Sequence, residues 1–513
     1  MYRADNSYLE DEVRCGFYIP SIAKRAWAAE LEVLSELDRI CEKYGIRYFA
    51  DWGTLLGAVR HRGFVPWDDD LDVCMLRADA EKFQQAAARE LPEEYRLFTF
   101  ENNDYNWKFV LNLVNSERMN FTPEYLKSHY NFPYMATIDI FVLDNMTDDE
   151  VYEERRAEAV KYILKVFDSL KEDNFKSEGV RTLLSHIKKT YGISIGFSDD
   201  FNELRRRMYR AVLSLLVQRD DENTGYVSQL ISMGIYHKQK FPRSYFDETV
   251  RLPFEGTEIS VPGQYDGILR SKYGNYETPV MGAGGHGYPY YRAQKEALGL
   301  APGEDYIPHY KFGGIPAAPE IAPAEDGRET VLFLPFKGCY WDGMKKFYEA
   351  ECAHENADVF VVPLPYFYKE YDGRMSGEMQ YDLMAYPEDL SGYAYEEIDV
   401  STLAADRIYI QNPYDEYNMC MSVPAEFYAS NLRRHCGKLI YVPWFKTADF
   451  GPENYPQNYN MQYYCTVPGV VLSDEVYVSS EVIRERYIEK LTDFAGDETR
   501  KIWQERIKVN PFE

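Results

Sequence analysis

A short acidic run carries the clearest chemistry in this sequence: Pro66-Trp67-Asp68-Asp69-Asp70-Leu71-Asp72-Val73. We expect a β-strand here, with Asp68, Asp70 and Asp72 on one face and apolar residues on the other, because side chains alternate along a strand. No lysine or arginine alternates with these carboxylates, and their mutual repulsion is costly when they are partly buried. The run therefore predicts a site for a hard divalent ion, Mg²⁺ or Mn²⁺, with a solvated acidic turn as the alternative.

A second acidic position supports this prediction. Within the apolar run at residues 136–143, Asp139 is flanked by isoleucine on both sides, so its carboxylate projects to the opposite face of a predicted strand. Two roles suit it: a further ligand beside Asp70 and Asp72, or the general base that takes a proton from an acceptor hydroxyl. A structural aspartate in a turn is the alternative.

The elements before the acidic run predict a seat for phosphate. Apolar residues recur at helical spacing from residue 22 to 44, and Gly45 follows, which predicts a helix that ends there. Residues 46–51 then alternate like a strand and lead through Gly53 and Thr54 into a short helix. The start of such a helix presents backbone N–H groups to an anion, so Gly53 and Thr54 are candidate phosphate ligands. A glycine turn that binds nothing is the alternative.

A basic island follows this short helix. Arg60, His61 and Arg62 stand together in a chain whose net charge is −27. This local reversal of sign favours the approach of a phosphorylated donor, so we expect Arg60 and Arg62 to contact it. A solvated helix end is the alternative, since cations also suit helix C-termini.

Residues 51–73 resemble the signature of the LicD/fukutin-type phosphotransferase family over their whole length, from Asp51-Trp52-Gly53-Thr54 to Asp70-Leu71-Asp72-Val73. Three later stretches strengthen the resemblance: Ile138-Asp139-Ile140-Phe141, Lys272-Tyr273-Gly274-Asn275-Tyr276 and Gly285-His286-Gly287-Tyr288. The resemblance covers roughly residues 20 to 300. It implies a nucleotidyltransferase-type fold, in which a mixed sheet with helices holds a metal-bound nucleotide.

The resemblance also implies a reaction. Family members transfer a phospho-alcohol, typically phosphocholine from CDP-choline, to a sugar hydroxyl of a bacterial surface glycan or of a teichoic-acid or lipopolysaccharide precursor. In this sequence Asp70 and Asp72 would hold the metal on the donor pyrophosphate, with Asp68 as a further ligand or a neighbour that orients one. Lys108 lies where the family often has a basic residue, and a surface lysine is the alternative. The implied partners are a CDP-alcohol donor and a sugar or lipid-linked glycan acceptor.

Two other functions fit the same residues. A true nucleotidyltransferase would release pyrophosphate from a nucleoside triphosphate instead of CMP from a CDP-alcohol. A non-catalytic glycan-binding scaffold would keep the acidic run without turnover.

Length and composition limit the remaining choices. The 513 residues predict two or three folded units, and the excess of 84 acidic over 57 basic residues disfavours nucleic-acid binding. The first ten residues lack the apolar core of a secretory signal, and the longest apolar stretches are shorter than the ~20 residues of a membrane-spanning helix. The eight cysteines show no Cys-x-x-Cys spacing. We expect a cytoplasmic protein that associates with membranes only peripherally, through its acceptor.

The second half of the chain predicts another α/β unit. A linker rich in proline, alanine and glycine at residues 301–328 separates a catalytic domain at 1–300 from an accessory domain at 329–513. In the accessory domain, strand-like runs near residues 331, 359, 407 and 439 and a helix after the first run predict a parallel, Rossmann-like sheet. This part resembles the first half of CDP-glycerol glycerophosphotransferase-type proteins. Its strand ends are rich in aromatic residues, which suits the recognition of an acceptor glycan or of choline.

Overall fold

The computed structural model describes residues 2–99, 101–102, 110–219, 224–229, 240–281, 309–321, 327–382, 386, 394–412 and 415–512. The chain forms two compact units. The first comprises Met1–Arg3, Trp27–Met119 and Tyr134–Val280, and the second comprises Ala4–Ala26, Asn120–Pro133 and Met281–Glu513.

This division differs from the predicted one in three places: Ala4–Ala26 and Asn120–Pro133 belong to the second unit, and the first unit ends at Val280 instead of 300. Tyr18 shows the reason for the first of these, because its fully buried ring packs 4.8 Å from the ring of Phe445 and 4.9 Å from that of Tyr464. Such long-range packing leaves no boundary signal in the local sequence. The linker at residues 301–328 stays a prediction.

The described strands are β1 (Glu12–Arg14), β2 (Phe17–Ile19), β3 (Phe49–Ala50), β4 (Leu71–Leu76), β5 (Arg96–Phe98), β6 (Leu111–Val114), β7 (Thr137–Met146), β8 (Tyr226–Ser228), β9 (Lys240–Pro242), β10 (Thr249–Phe254), β11 (Thr257–Pro262), β12 (Glu329–Leu334), β13 (Ala357–Val361), β14 (Tyr366–Lys369), β15 (Met375–Gln380), β16 (Ala405–Ile410), β17 (Met421–Ser422), β18 (Cys436–Tyr441), β19 (Glu475–Val478) and β20 (Ile507–Val509). The described α-helices are α1 (Ser21–Tyr44), α2 (Trp52–Arg60), α3 (Arg77–Glu90), α4 (Pro123–Ser128), α5 (Glu150–Ser169), α6 (Glu178–Tyr191), α7 (Phe201–Leu216), α8 (Tyr265–Tyr273), α9 (Asp342–Cys352), α10 (Val400–Leu403), α11 (Ala429–Leu432), α12 (Tyr455–Asn460), α13 (Pro468–Val471), α14 (Glu481–Ala495) and α15 (Arg500–Arg506).

The first unit is built on a mixed sheet in the order β3-β4-β7-β6-β5, with β8 and β9 continuing from β7. The central pair, β4 and β7, is parallel, while β3 and β6 run antiparallel to their neighbours. Helices α5, α6 and α7 bury an apolar cluster of their own. The predicted α/β fold class, with a mixed sheet and helices, is confirmed.

The acidic run enters this sheet later than predicted. Strand β4 begins at Leu71, so Asp68, Asp69 and Asp70 lie in the irregular segment before it and do not alternate across a sheet. A turn fixes this segment, because Asp68 N donates to Val65 O at 2.9 Å. The indole Nε1 of Trp27 also donates to Asp68 O at 3.1 Å. Asp68 and Asp70 therefore lie in a turn instead of the predicted strand, and only Asp72 of the three predicted ligands lies on β4.

The second unit contains a six-stranded parallel sheet in the order β13-β12-β16-β18-β19-β20. Alternate residues of β12 face opposite sides: Leu332 and Leu334 join one apolar cluster, and Val331 and Phe333 join the other. The strand-helix-strand rhythm predicted from the sequence is thereby confirmed. A small antiparallel sheet, β15-β14-β17, and the β1-β2 hairpin complete the unit.

A helix that crosses a membrane must be both long and apolar. The longest described helix, α1, has 24 residues, but charged side chains recur along it. Across the described ranges, no helix combines the length and the apolar character needed to cross a bilayer.

Candidate active site

Two of the predicted site residues stand side by side in the central sheet of the first unit. Asp72 of β4 is the register partner of Asp139 of β7, and Asn112 of β6 is the partner of Asp139 on its other side. Residues opposite one another on neighbouring strands project to the same face. The Asn112 Nδ2 donates to Asp139 Oδ1 at 2.5 Å, which orients that carboxylate.

A cluster of three carboxylates precedes this row. One ligand oxygen each of Asp68, Asp69 and Asp70 lies within 4.8 Å of the others. Asp69 is buried, whereas Asp68 and Asp70 are half-buried. An all-oxygen set of this kind suits Mg²⁺ or Mn²⁺. The cluster includes Asp69, to which the sequence pattern assigned no role, whereas Asp72 lies outside it, two residues after Asp70 on β4.

Two further observations show that negative charge is concentrated here. Burial raises the pKa of Asp72 well above its usual range, and repulsion from Asp70, Asp139 and Asp51 raises it further. Glu30 of α1 is only 2% exposed, and burial followed by repulsion from Asp70 raises its pKa in the same way. Its Oε2 has no hydrogen-bond partner within the described part of the chain. A bound cation would relieve this repulsion.

The start of α2 packs directly against the acidic run. Asp51 caps the helix by accepting from Trp52 N at 2.8 Å, and Thr54 Oγ1 accepts from Asp72 N at 2.7 Å. A Cβ on Gly53 would lie 2.2 Å from Asp68 Oδ2, so only glycine leaves room for that carboxylate. The predicted Gly-Thr helix start is confirmed as a structural feature, while its role in phosphate binding stays a prediction.

Lys272 brings a distant part of the chain to this helix start. Its Nζ forms an ion pair with Asp51 and lies 3.9 Å from the centre of the Trp52 ring. Gln229 Nε2 donates to the other oxygen of Asp51 at 2.5 Å. Burial and then repulsion from Asp51 and other carboxylates raise the pKa of the neighbouring Tyr273. Residues 272 and 273 of the closing motif therefore lie at the site.

Arg60 and Arg62, two of the basic residues predicted to contact the donor, lie at and after the last residue of α2. Arg60 lies in the last turn of α2, about 10 Å along the helix axis from Gly53. Its Nη1 donates to Tyr276 O at 2.9 Å, which gives it a structural contact. Arg62 is exposed in the following turn, at a positive φ of 56°. Donor binding by Arg60 and Arg62 stays a prediction, and Lys108 lies outside the described residues.

Besides Asp69, four residues at the site were assigned no role from the sequence: Glu30, Asn112, Gln229 and Lys272. Glu30 had a usable signal, because it is an acidic residue three positions after Trp27 on the apolar stripe of α1. Lys272 belonged to a recognised motif, but its partner Asp51 lies 221 residues away. Asn112 and Gln229 carried no local signal.

The chain is similar to known proteins in this same region. Residues 45–176 match the family model described as LicD/FKTN/FKRP, nucleotidyltransferase domain. The lipopolysaccharide cholinephosphotransferase LicD of Haemophilus influenzae is 25% identical over 253 residues, which cover 48% of this chain and 88% of that protein. An uncharacterised protein of Rickettsia typhi is 38% identical over 66 residues, covering 13% of this chain and 21% of its own length. One of Rickettsia prowazekii is 41% identical over 54 residues, covering 10% and 20%.

Proposed function

We propose that this chain, a LicD-family member by its domain at residues 45–176, transfers a phospho-alcohol from a CDP-alcohol to a sugar hydroxyl of a bacterial surface glycan or its precursor. Phosphocholine from CDP-choline is the preferred donor group, because the Haemophilus relative is a cholinephosphotransferase. One observation carries the proposal. Asp72 and Asp139 are register partners on adjacent parallel strands. Asp72 follows the Asp68–Asp70 cluster in sequence, and its backbone N–H donates to Thr54 at the start of α2.

A divalent metal fits the acidic side chains, and Mg²⁺ or Mn²⁺ would neutralise charge on the donor pyrophosphate and on the cytidylate leaving group. In this proposal Asp70 and Asp72 hold the metal, and Asp68 is an additional ligand. Carboxylate oxygens suit a hard cation, and the ligand oxygens of Asp68 and Asp70, with that of Asp69, lie within 4.8 Å of one another. Relief of the repulsion that raises the pKa of Asp72 supplies part of the driving force.

The remaining residues bind the donor and move the proton. Backbone N–H groups of Gly53 and Thr54 at the start of α2 bind phosphate oxygens, and Lys272 next to Asp51 adds positive charge there. Asp139, oriented by Asn112, accepts the proton of the acceptor hydroxyl. The new bond joins the acceptor oxygen to the phosphorus of the phospho-alcohol, and the broken bond releases CMP.

The state of the cysteines and the nature of the acceptor bear on where the reaction takes place. All eight cysteines are free thiols in the structure, which suits a reducing compartment, and we place the reaction in the cytoplasm. A lipid-linked glycan acceptor would bring the protein to the membrane surface.

A donor panel tests the proposal. The full chain with Mg²⁺ is incubated with CDP-choline, CDP-ethanolamine, CDP-glycerol or CDP-ribitol, with and without a surface-glycan extract, and CMP is measured. We expect CMP from CDP-choline, an increase with the extract, and loss of the signal with EDTA. Absence of CMP with every donor would contradict the proposal. Pyrophosphate release from CTP would instead identify a nucleotidyltransferase.

A further inference from the structure

A small cavity in the second unit combines aromatic rings with carboxylates. Its volume is about 60 Å³. The lining residues that matter here are Tyr310, Tyr417, Tyr463, Asp11, Asp415 and Gln462. A single water needs roughly 10 to 15 Å³ of such space, so the cavity accommodates a compact group of several heavy atoms.

Asp415 is the unusual member of this lining. It is 2% exposed, and its Oδ1 accepts from Tyr417 N at 3.3 Å. Its Oδ2 has no hydrogen-bond partner among the described residues. The nearby Lys369 donates to the main-chain oxygens of Asp415 and Glu416, at 3.5 and 2.9 Å. Burial, followed by the charge of Glu416, raises the pKa of Asp415 well above its usual range. Lys369 lowers the pKa of Asp415 in part, but its ammonium donates to main-chain oxygens and leaves Oδ2 of the carboxyl without a hydrogen bond.

The second carboxylate of the cavity, Asp11, is already hydrogen-bonded. It accepts from Ser21 N at 2.5 Å and from Asn418 Nδ2 at 2.9 Å. Arg25 of α1 donates to the main-chain oxygens of Tyr130 and Met419. Of the two carboxyl groups, Asp415 is therefore the one with an oxygen left for a ligand.

The aromatic rings supply a second attraction for positive charge. Tyr310 and Tyr417 meet edge to face at 5.8 Å, and Tyr463 lies 6.0 Å from the ring of His309. All three tyrosines are half-buried. The negative face of an aromatic ring attracts a cation within about 6 Å, and quaternary ammonium groups are bound in this way.

We propose that this cavity binds an organic ammonium ion, and that a trimethylammonium group is the head group that fits it. Asp415 Oδ2 faces the positive charge, and the tyrosines contact the methyl groups. Gln462 Nε2 lines the cavity, has no hydrogen-bond partner within the described ranges, and donates to an oxygen of the ligand. A hard metal ion fits less well, because it requires about six oxygen ligands where this cavity offers rings. The inference does not depend on the reaction proposed for the first unit.

Calorimetric titration of the full chain tests the ligand class. The probes are choline, tetramethylammonium, the neutral choline isostere 3,3-dimethylbutan-1-ol, and Mg²⁺ alone. We expect choline and tetramethylammonium to bind at least tenfold more tightly than the neutral alcohol. Equal affinity for the neutral alcohol would overturn the proposal, as would displacement of choline by Mg²⁺.

Matched variants test the location. Asp415→Asn should weaken choline binding at least tenfold, whereas Glu416→Gln, the same charge change on an exposed neighbour, should leave it unchanged. Tyr310→Leu should also weaken it, and Tyr455→Leu, at a ring 59% exposed and outside the cavity, should not. Thermal melting verifies that each variant folds. If Asp415→Asn does not fold, the choline affinity of Tyr310→Leu tests the location of the site. Unchanged affinity in the folded cavity variants would overturn the proposal.

A last variant separates this cavity from the first unit. Asp70→Asn with Asp72→Asn should retain full choline affinity. Loss of choline binding in that double variant would place the ligand at the acidic site and overturn the inference.

Discussion

Buried carboxylates have opposite surroundings at two places: Glu351 beside the parallel sheet of the second unit, and the acidic run of the first unit. In the second unit, Glu351 of α9 accepts from Arg407 Nε of β16 at 2.9 Å and from the Tyr409 hydroxyl of the same strand at 2.7 Å. In the first unit, Asp72 of β4 and Glu30 of α1 instead face other carboxylates. Paired charges tie a helix to strands, whereas crowded like charges destabilise the sheet that holds them.

Glu475 makes the same contrast in terms of pKa. Although burial acts to raise it, hydrogen bonds from Lys438 and Lys508 lower the pKa of this carboxyl to about 2. Burial raises the pKa of Asp72, and repulsion from the carboxylates of Asp70, Asp139, Asp51 and Asp68 raises it further. Unbalanced charge of this kind persists where a ligand completes the site, which points to function at Asp72 and Glu30 and to structural roles for Glu351 and Glu475.

The largest expected effect separates two aspartates of one strand. Asp139→Asn should lower turnover by about 10³-fold or more with little loss of stability, because it removes a proton acceptor from a crowded site. Asp144, also on β7, forms a buried ion pair with Arg77 at 2.7 Å. Asp144→Asn should instead cost about 3 kcal/mol of unfolding free energy, since Arg77 loses its partner. CMP release and chemical denaturation measure the two quantities.

If Asp139→Asn retained more than a tenth of the activity, Asp139 would have no part in the chemistry. An equal loss of stability in both variants would erase the distinction between the two aspartates.

A second comparison uses two glycines of α2. Gly53→Ala should lower turnover about 10²-fold by displacing Asp68, while helix propensity leaves stability unchanged or raised. A Cβ on Gly57 would lie 2.3 Å from the main-chain oxygen of Gly63, so Gly57→Ala should cost about 1 to 3 kcal/mol of stability. Initial rates and melting temperatures read out both variants. Full activity in Gly53→Ala would show that the position of Asp68 is unimportant.

Metal binding should stabilise the acidic site. At a Mg²⁺ concentration 100 times the dissociation constant, linkage predicts about 2.7 kcal/mol of added stability. The melting temperature of the wild-type chain should therefore rise with Mg²⁺, and EDTA should reverse the rise. Asp70→Asn with Asp72→Asn should show no shift, and an undiminished shift in that variant would place the metal elsewhere.

The smallest expected effect concerns acid stability in the second unit. The folded-state pKa of Glu475 is about 2 against an ordinary 4.5, so its stabilisation is present above pH 4.5 and is lost as the pH falls toward 2. Glu475→Gln should thus lower the melting temperature at pH 6, and the difference from wild type should shrink between pH 4.5 and 2. A difference independent of pH would exclude this ion pair as its source.

Much of the local structure was predictable because it follows short-range rules. The apolar periodicity before Gly45 predicted α1, and the Gly53-Thr54 helix start predicted α2. The strand position of Asp139 followed from its flanking isoleucines. The parallel sheet of the second unit followed from the spacing of its apolar runs.

The rest depends on contacts between residues far apart in sequence. Asp68, Asp69 and Asp70 cluster because a turn and the indole of Trp27 hold their backbone, which a strand pattern cannot show. The pairing of Lys272 with Asp51 and of Asn112 with Asp139 depends on the tertiary fold.

The most direct test of the account measures CMP release from CDP-choline, with Mg²⁺ and a surface-glycan extract, by the wild-type chain and by Asp70→Asn with Asp72→Asn. We predict CMP release by the wild type, loss of at least 10³-fold in the variant, and an unchanged fold by circular dichroism. Equal CMP release by the two proteins would contradict the assignment of the acidic run to catalysis. Absence of release by the wild type, with glycan binding in both, would identify a scaffold.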